Sequence, residues 1–139
     1  MAAITTAVMC LALNVYFEAR SEPIKGQQAV AHVTLNRARE RNMRVCDVVF
    51  EPAQFSWTIS DPKVTNEKAW AAALKVAQRA YRRKSTDPTG GANHYHADYV
   101  KPRTWDFAKL TRTATIGRHV FYTNKPTQLA RAGTTKEPV

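Results

Sequence analysis

Between Thr5 and Ala19 the chain is apolar at most positions, and Val8, Leu11, Ala12, Val15 and Ala19 recur at helical spacing. A helix this apolar must be covered by other elements, so the segment is expected to be a core helix with Thr5 or Thr6 as its cap. Glu18 is the one charged side chain in the run, and it stands in the last turn. Ser21-Glu22-Pro23 then breaks the helix, because proline disfavours the helical conformation in the residue before it. Met1 to Phe17 also raises the question of a signal peptide. It lacks a basic leading region and runs into Glu18-Ala19-Arg20 where a cleavage site would stand, so no export signal of the usual kind is expected.

The 139 residues fit one domain with one core. A second helix is expected from about Ile24 to Arg41, with Gln28, Ala29, Ala31, His32, Leu35 and Asn36 on one face and Val30, Val33 and Arg37 beside it. Cys46 to Phe50 reads as a short helical turn, ended by Glu51-Pro52, and Gln54 to Trp57 as a short strand. Thr65 or Asn66 caps a third helix from Glu67 to about Arg83, with Trp70, Leu74, Ala77 and Tyr81 as its apolar stripe. Asp87-Pro88-Thr89-Gly90-Gly91 is a turn. Asn93 to His96 and Ile116 to Thr123 are β-prone, with Pro102 and Trp105 in the loop between them. The expected architecture is α+β and mainly helical, with three main helices and a small sheet of about three strands. It comprises a catalytic domain over 1–123 and a basic, mobile tail over 124–139. No apolar stretch approaches the roughly 20 residues a bilayer span needs. Cys10 and Cys46 are too few for a disulfide framework and fit no zinc spacing, so they read as buried free thiols.

The net charge of +10 favours polyanionic partners: nucleic acid, an acidic membrane surface, or the acidic polymers of a bacterial wall. Arg37, Arg39, Arg41 and Arg44 form one basic cluster and Arg79, Arg82, Arg83 and Lys84 another, both read as solvated faces. No nucleic-acid motif accompanies them, so a specific nucleic-acid partner is not expected. Glu18 carries the chemical interest. Apolar walls remove hydration from a carboxyl group, and a helix C-terminus is electronegative; both raise a carboxyl pKa and keep it protonated for acid catalysis. The plainer alternative is a solvated Glu18 paired with Arg20. His94, His96 and His119 offer a second chemistry, a zinc site serving an amidase or peptidase.

Leu13-Asn14-Val15-Tyr16-Phe17-Glu18-Ala19-Arg20-Ser21-Glu22-Pro23 resembles the signature of the SleB/CwlJ-like cell wall hydrolases. The likeness continues through Gly26 to Arg37, Val45 to Val49, Gln54-Phe55-Ser56-Trp57, Gly91 to His96, Trp105, and Ile116 to Tyr122. One departure is Ser21, where the family usually has Gly. The resemblance implies a compact lysozyme-related single domain acting on the glycan strands of peptidoglycan, with Glu18 as catalytic acid. It needs no metal or cofactor. Gln54, Ser56, Asn93, Tyr95 and Tyr122 are candidates for bonding sugar hydroxyl and acetamido groups, and Trp57 and Trp105 for stacking on pyranose faces. A second carboxylate, as glycosidases normally use, is not marked by spacing; Glu22, Asp47, Glu51 and Asp61 are the possibilities. Lytic transglycosylase chemistry needs none, because the muramyl C6 hydroxyl attacks within its own sugar. A hydrolytic muramidase is the close alternative. The expected setting is a monomeric phage endolysin, held in the host cytoplasm until the inner membrane opens.

Overall fold

The computed structural model describes residues 5–51, 54–101 and 105–125. The apolar run forms α1, Thr6–Ala19, capped by Thr5, whose Oγ1 accepts from the Val8 N–H at 3.2 Å. Then come α2, Ile24–Arg41, and the short α3, Val45–Val49, and α4, Trp57–Ser60, followed by α5, Glu67–Tyr81. The chain continues through β1, His94–Ala97, a 3-10 turn, Trp105–Lys109, and β2, Thr111–Ile116, to β3, His119–Thr123. Among the described residues no helix is long and apolar enough to cross a membrane.

Helix α1 packs against α2, α3 and α5, which is why its Leu11, Ala12, Val15 and Tyr16 are wholly buried. Polar pairs fix its register. Thr34 Oγ1 donates to Asn14 Oδ1 at 2.7 Å, joining α2 to α1, and the Tyr16 hydroxyl accepts from the N–H groups of Thr65 and Asn66 at 3.2 and 3.0 Å. Asn66 in turn caps α5 by accepting from the Ala69 N–H at 2.9 Å. The antiparallel sheet has the order β1-β3-β2. It adds a smaller core in which Ala29 and Val33 of α2 meet Ala92, Ile116 and Phe121. Gly117, at φ +56°, turns β2 into β3, and a Cβ there would overlap Glu22 Oε1.

Three expectations change. Gln54 to Trp57 is not a strand: it leads into α4 through bonds from the Thr58 and Ile59 N–H groups to the Phe55 and Ser56 carbonyls. Phe55 is buried under the Arg37 guanidinium, and Trp57 packs at the edge of the helical core. On α5 the expected Trp70, Leu74 and Ala77 do pack on the core, joined by Ala73, Val76 and Ala80, but Tyr81 is exposed. The cysteines are not free thiols. Cys10 and Cys46 form a disulfide with Cα atoms 5.2 Å apart, because α1 and α3 lie side by side although 36 residues separate the pair. Ser21 is absent from the described residues with positive φ, so its backbone does not call for the conformational freedom of glycine.

Candidate active site

Glu18 sits in the last turn of α1, where the helix meets the sheet. Tyr95 projects from the helix-facing side of β1, and its hydroxyl donates to Glu18 Oε1. Burial pushes the Glu18 carboxyl above its ordinary value; the Tyr95 hydrogen bond and the charge of Arg37 pull down without reversing it. Burial, with the negative charge of Glu18 and the bond to it, also holds the Tyr95 phenol well above its usual range. The site therefore pairs a carboxyl biased toward its protonated form with a phenol that stays a donor. Arg20, the expected surface partner of Glu18, lies over the Tyr16 ring instead, 4.7 Å from its centroid.

Arg37 is the residue the sequence misplaced. Expected on a solvated basic face, it is only 8% exposed. Its Nε donates to the Asn93 carbonyl at 2.6 Å, Nη1 to Gln54 Oε1 at 3.2 Å, and its guanidinium lies over the Phe55 ring. It thus links the segment before α4 to the start of β1 and puts a permanent positive charge near Glu18. The signal was its place beside the apolar face of α2.

The candidate sugar-contact residues fall into separate places. Ser56 is exposed at the start of α4. Trp57 is half-buried against Phe17, with ring centroids 4.9 Å apart, and its buried Nε1 has no partner among the described groups. Gln54 is exposed, with its carbonyl oxygen on Arg37. Asn93 is 2% exposed, and its amide donates to Glu40 and Asn124 at 2.8 and 2.7 Å. Tyr122 lies on the opposite sheet face from Tyr95, stacked on His96, with its hydroxyl 2.8 Å from His96 Nε2. Trp105 opens the 3-10 turn, and its side chain lies outside the described residues. The strand alternation that separates Tyr95 from Tyr122 also separates His119 from His94 and His96. Among the described residues no group of three His, Cys, Asp or Glu converges as metal ligands would.

Residues 21–122 match the cell wall hydrolase family. The chain belongs to that family. Spore cortex-lytic enzymes from Halalkalibacterium halodurans and Bacillus cereus are 33% identical to it over 119 residues, 82% of this chain. The chain spans 34% and 43% of their lengths. Among solved structures it resembles the catalytic domain of the germination-specific lytic transglycosylase SleB from Bacillus anthracis, with a TM-score of 0.67 and 31% identity. That match covers 84% of this chain and 93% of the other. The catalytic domain of the Bacillus cereus SleB protein gives 0.65 and 29%, covering 88% and 94%. The fold is therefore the compact, lysozyme-like single domain of these hydrolases. The matched family segment begins three residues after Glu18.

Among the described residues of this cell wall hydrolase domain, Glu22, Asp47, Glu51 and Asp98 are occupied elsewhere. Glu22 has a side chain only 8% exposed; its Oε1 accepts from the Arg118 N–H at 2.8 Å and lies 3.6 Å from His119 Nδ1, so it braces the β2–β3 turn. Asp47 pairs with Arg44, Glu51 with Arg41 and Asp98 with Arg118. Asp61 is exposed at the end of α4.

Proposed function

We propose that this cell wall hydrolase cleaves peptidoglycan glycan strands between N-acetylmuramic acid and N-acetylglucosamine, with Glu18 as the catalytic acid and then the base. The observation that carries the reading is the seat of Glu18: a half-buried carboxyl, raised in pKa, held by Tyr95, while Glu22 is committed to the hairpin turn. A protonated Glu18 gives its proton to the departing glycosidic oxygen. The resulting carboxylate, stabilised by the Tyr95 hydroxyl and the charge of Arg37, takes the proton of the muramyl C6 hydroxyl as that oxygen bonds C1. The product is a 1,6-anhydro sugar. Nucleophile and electrophile share one ring, so no second carboxylate is needed to activate water. The lytic transglycosylase description of the Bacillus anthracis relative supports the same chemistry.

Ser56, Trp57 and Trp105 are the residues we propose for direct sugar contact. Tyr95 and Gln54 act beside them through Glu18 and Arg37. Asn93 and Tyr122, whose polar atoms are engaged internally, shape the strand ends. The proposed setting is phage-driven lysis, with the chain made in the host cytoplasm and acting in the wall. A disulfide is at home in an oxidising compartment beyond the inner membrane. Host lysis is expected only once that membrane is opened, and lysis without opening removes the endolysin setting.

Mass analysis of digested, purified peptidoglycan tests the chemistry. We expect muropeptides ending in 1,6-anhydro-N-acetylmuramic acid, lighter by one water than hydrolysed products and unlabelled after digestion in heavy-oxygen water. Labelled muramyl reducing ends indicate a muramidase. Released stem peptides on intact glycan overturn the glycosidase reading.

A further inference from the structure

A cleft of about 830 Å³ opens on the far side of α2 from Glu18. At about 100° per residue, Arg39 stands roughly 200° round that helix from Arg37. One wall is α2, through His32, Leu35 and Arg39; the other is the end of α5 and the loop after it, through Tyr81, Arg83 and Ser85. The walls are tied together where His32 Nε2 and Ser85 Oγ come within 3.0 Å and where Asn36 donates to Asp87 at 3.0 Å.

The charges in this cleft are unequally used. Asp87 is consumed internally, accepting from Asn36, the Gly91 N–H, and the N–H and hydroxyl of Thr89. Arg39 reaches only the Asn36 amide oxygen, at 3.3 and 3.5 Å. Among the described residues neither Arg39 nor Arg83 pairs with a carboxylate. Arg83 also holds φ at +59°, in the position after a helix where Gly or Asn is the usual occupant. A long cationic side chain is thus kept where the backbone disfavours one. Beside the guanidiniums lie Leu35 and the exposed ring of Tyr81. Guanidinium forks suit carboxylates, and the adjoining apolar surface suits small aliphatic side chains.

We infer that this cleft is an accessory site for the acidic peptide stems carried by peptidoglycan strands, an inference that rests on the peptidoglycan reading above. It assigns peptide recognition to a face separate from Glu18. A polymer of phosphates alone has no use for Leu35 and Tyr81, which is why the stem carboxylates are the chosen ligand. The test sediments the Glu18→Gln protein with purified sacculi, with and without added Arg39→Gln and Arg83→Gln. Binding should fall by about tenfold or more in the variant, the scale of losing two charge-assisted hydrogen bonds. An amidase that strips the stems should cause the same fall for the unmodified cleft, and removal of wall phosphate polymers should not. In the active protein, Arg39→Gln with Arg83→Gln should leave cleavage of peptide-free glycan strands unchanged, which also reports an intact fold. Undiminished binding by the variant, indifference to stem removal, or a loss caused by stripping phosphate overturns the inference. Failure of the glycan reading appears separately, as no cleavage of peptide-free strands by the wild-type chain, while sedimentation still decides the cleft.

Discussion

Replacing Glu18 with Gln keeps the shape of the side chain and an acceptor for Tyr95 but removes the transferable proton. We expect a loss of about a hundred- to ten-thousand-fold in clearance of a wall suspension; near-normal clearance would remove Glu18 from the mechanism. The same substitution has a signed effect on stability. The Glu18 pKa is higher folded than unfolded, so the folded chain binds more protons, and stability falls as pH rises through that window. Gln does not titrate. Glu18→Gln should therefore be more stable than wild type at neutral pH, with the difference gone below about pH 4, where both states of Glu18 are protonated. Thermal melts across pH check this, and a gain independent of pH would contradict it. Tyr95→Phe removes a group that stabilises the carboxylate, so the Glu18 pKa should rise further. Activity that needs the protonated acid declines as pH passes the pKa, so the alkaline limb of kcat/KM should move to higher pH. An unmoved limb would show that Tyr95 does not act through Glu18.

Among the elements, α1 is the one on which the site depends, because it carries Glu18 and touches three other helices. The Cys10–Cys46 bridge fixes its first half to α3. Closing a loop of 36 residues is worth about 3–4 kcal/mol in the chain-entropy account. Reduction, or Cys46→Ser, should lower the urea midpoint accordingly, and coincident unfolding curves with and without reductant would show that the bridge contributes nothing. The hairpin of β2 and β3 is held to the end of α1 by a different device, the Glu22 carboxylate on the Arg118 N–H. This use of Glu22 explains why the carboxylate nearest Glu18 in sequence is not shared with it.

For the whole molecule, the proposed function predicts that the net charge of +10 favours the approach to an anionic wall. Exposed charges are screened over about 10 Å at 0.1 M salt, so wall binding should weaken steadily as salt rises. Binding of the Glu18→Gln protein to sacculi across a salt series checks this; a flat series would leave only short-range contacts. The tail expected from Asn124 supplies part of that charge, with Lys125, Arg131 and Lys136 set against Glu137. Its first two residues are tied to the body, Asn124 through Asn93 and Lys125 through Glu40, and the rest lies outside the described residues.

The helices other than α4, the caps to within two residues (Thr5 or Thr6, Thr65 or Asn66), the break at Pro23 and the place of Glu18 were legible in the chain because each rests on spacing or on one residue's own geometry. Spacing left Glu18 either desolvated or solvated beside Arg20, and the raised pKa was decided by the segments packed on the helix end, Tyr95 of β1 and Arg37 of α2 among them. The disulfide, the seat of Arg37, the opposite faces taken by Tyr95 and Tyr122, and the helical turn at Trp57 were not legible. Each depends on which distant segments are brought together: α1 with α3, α2 with the start of β1, and one face of a strand with a helix end. A residue's type and spacing state what it is able to do, and only packing decides which partner it meets.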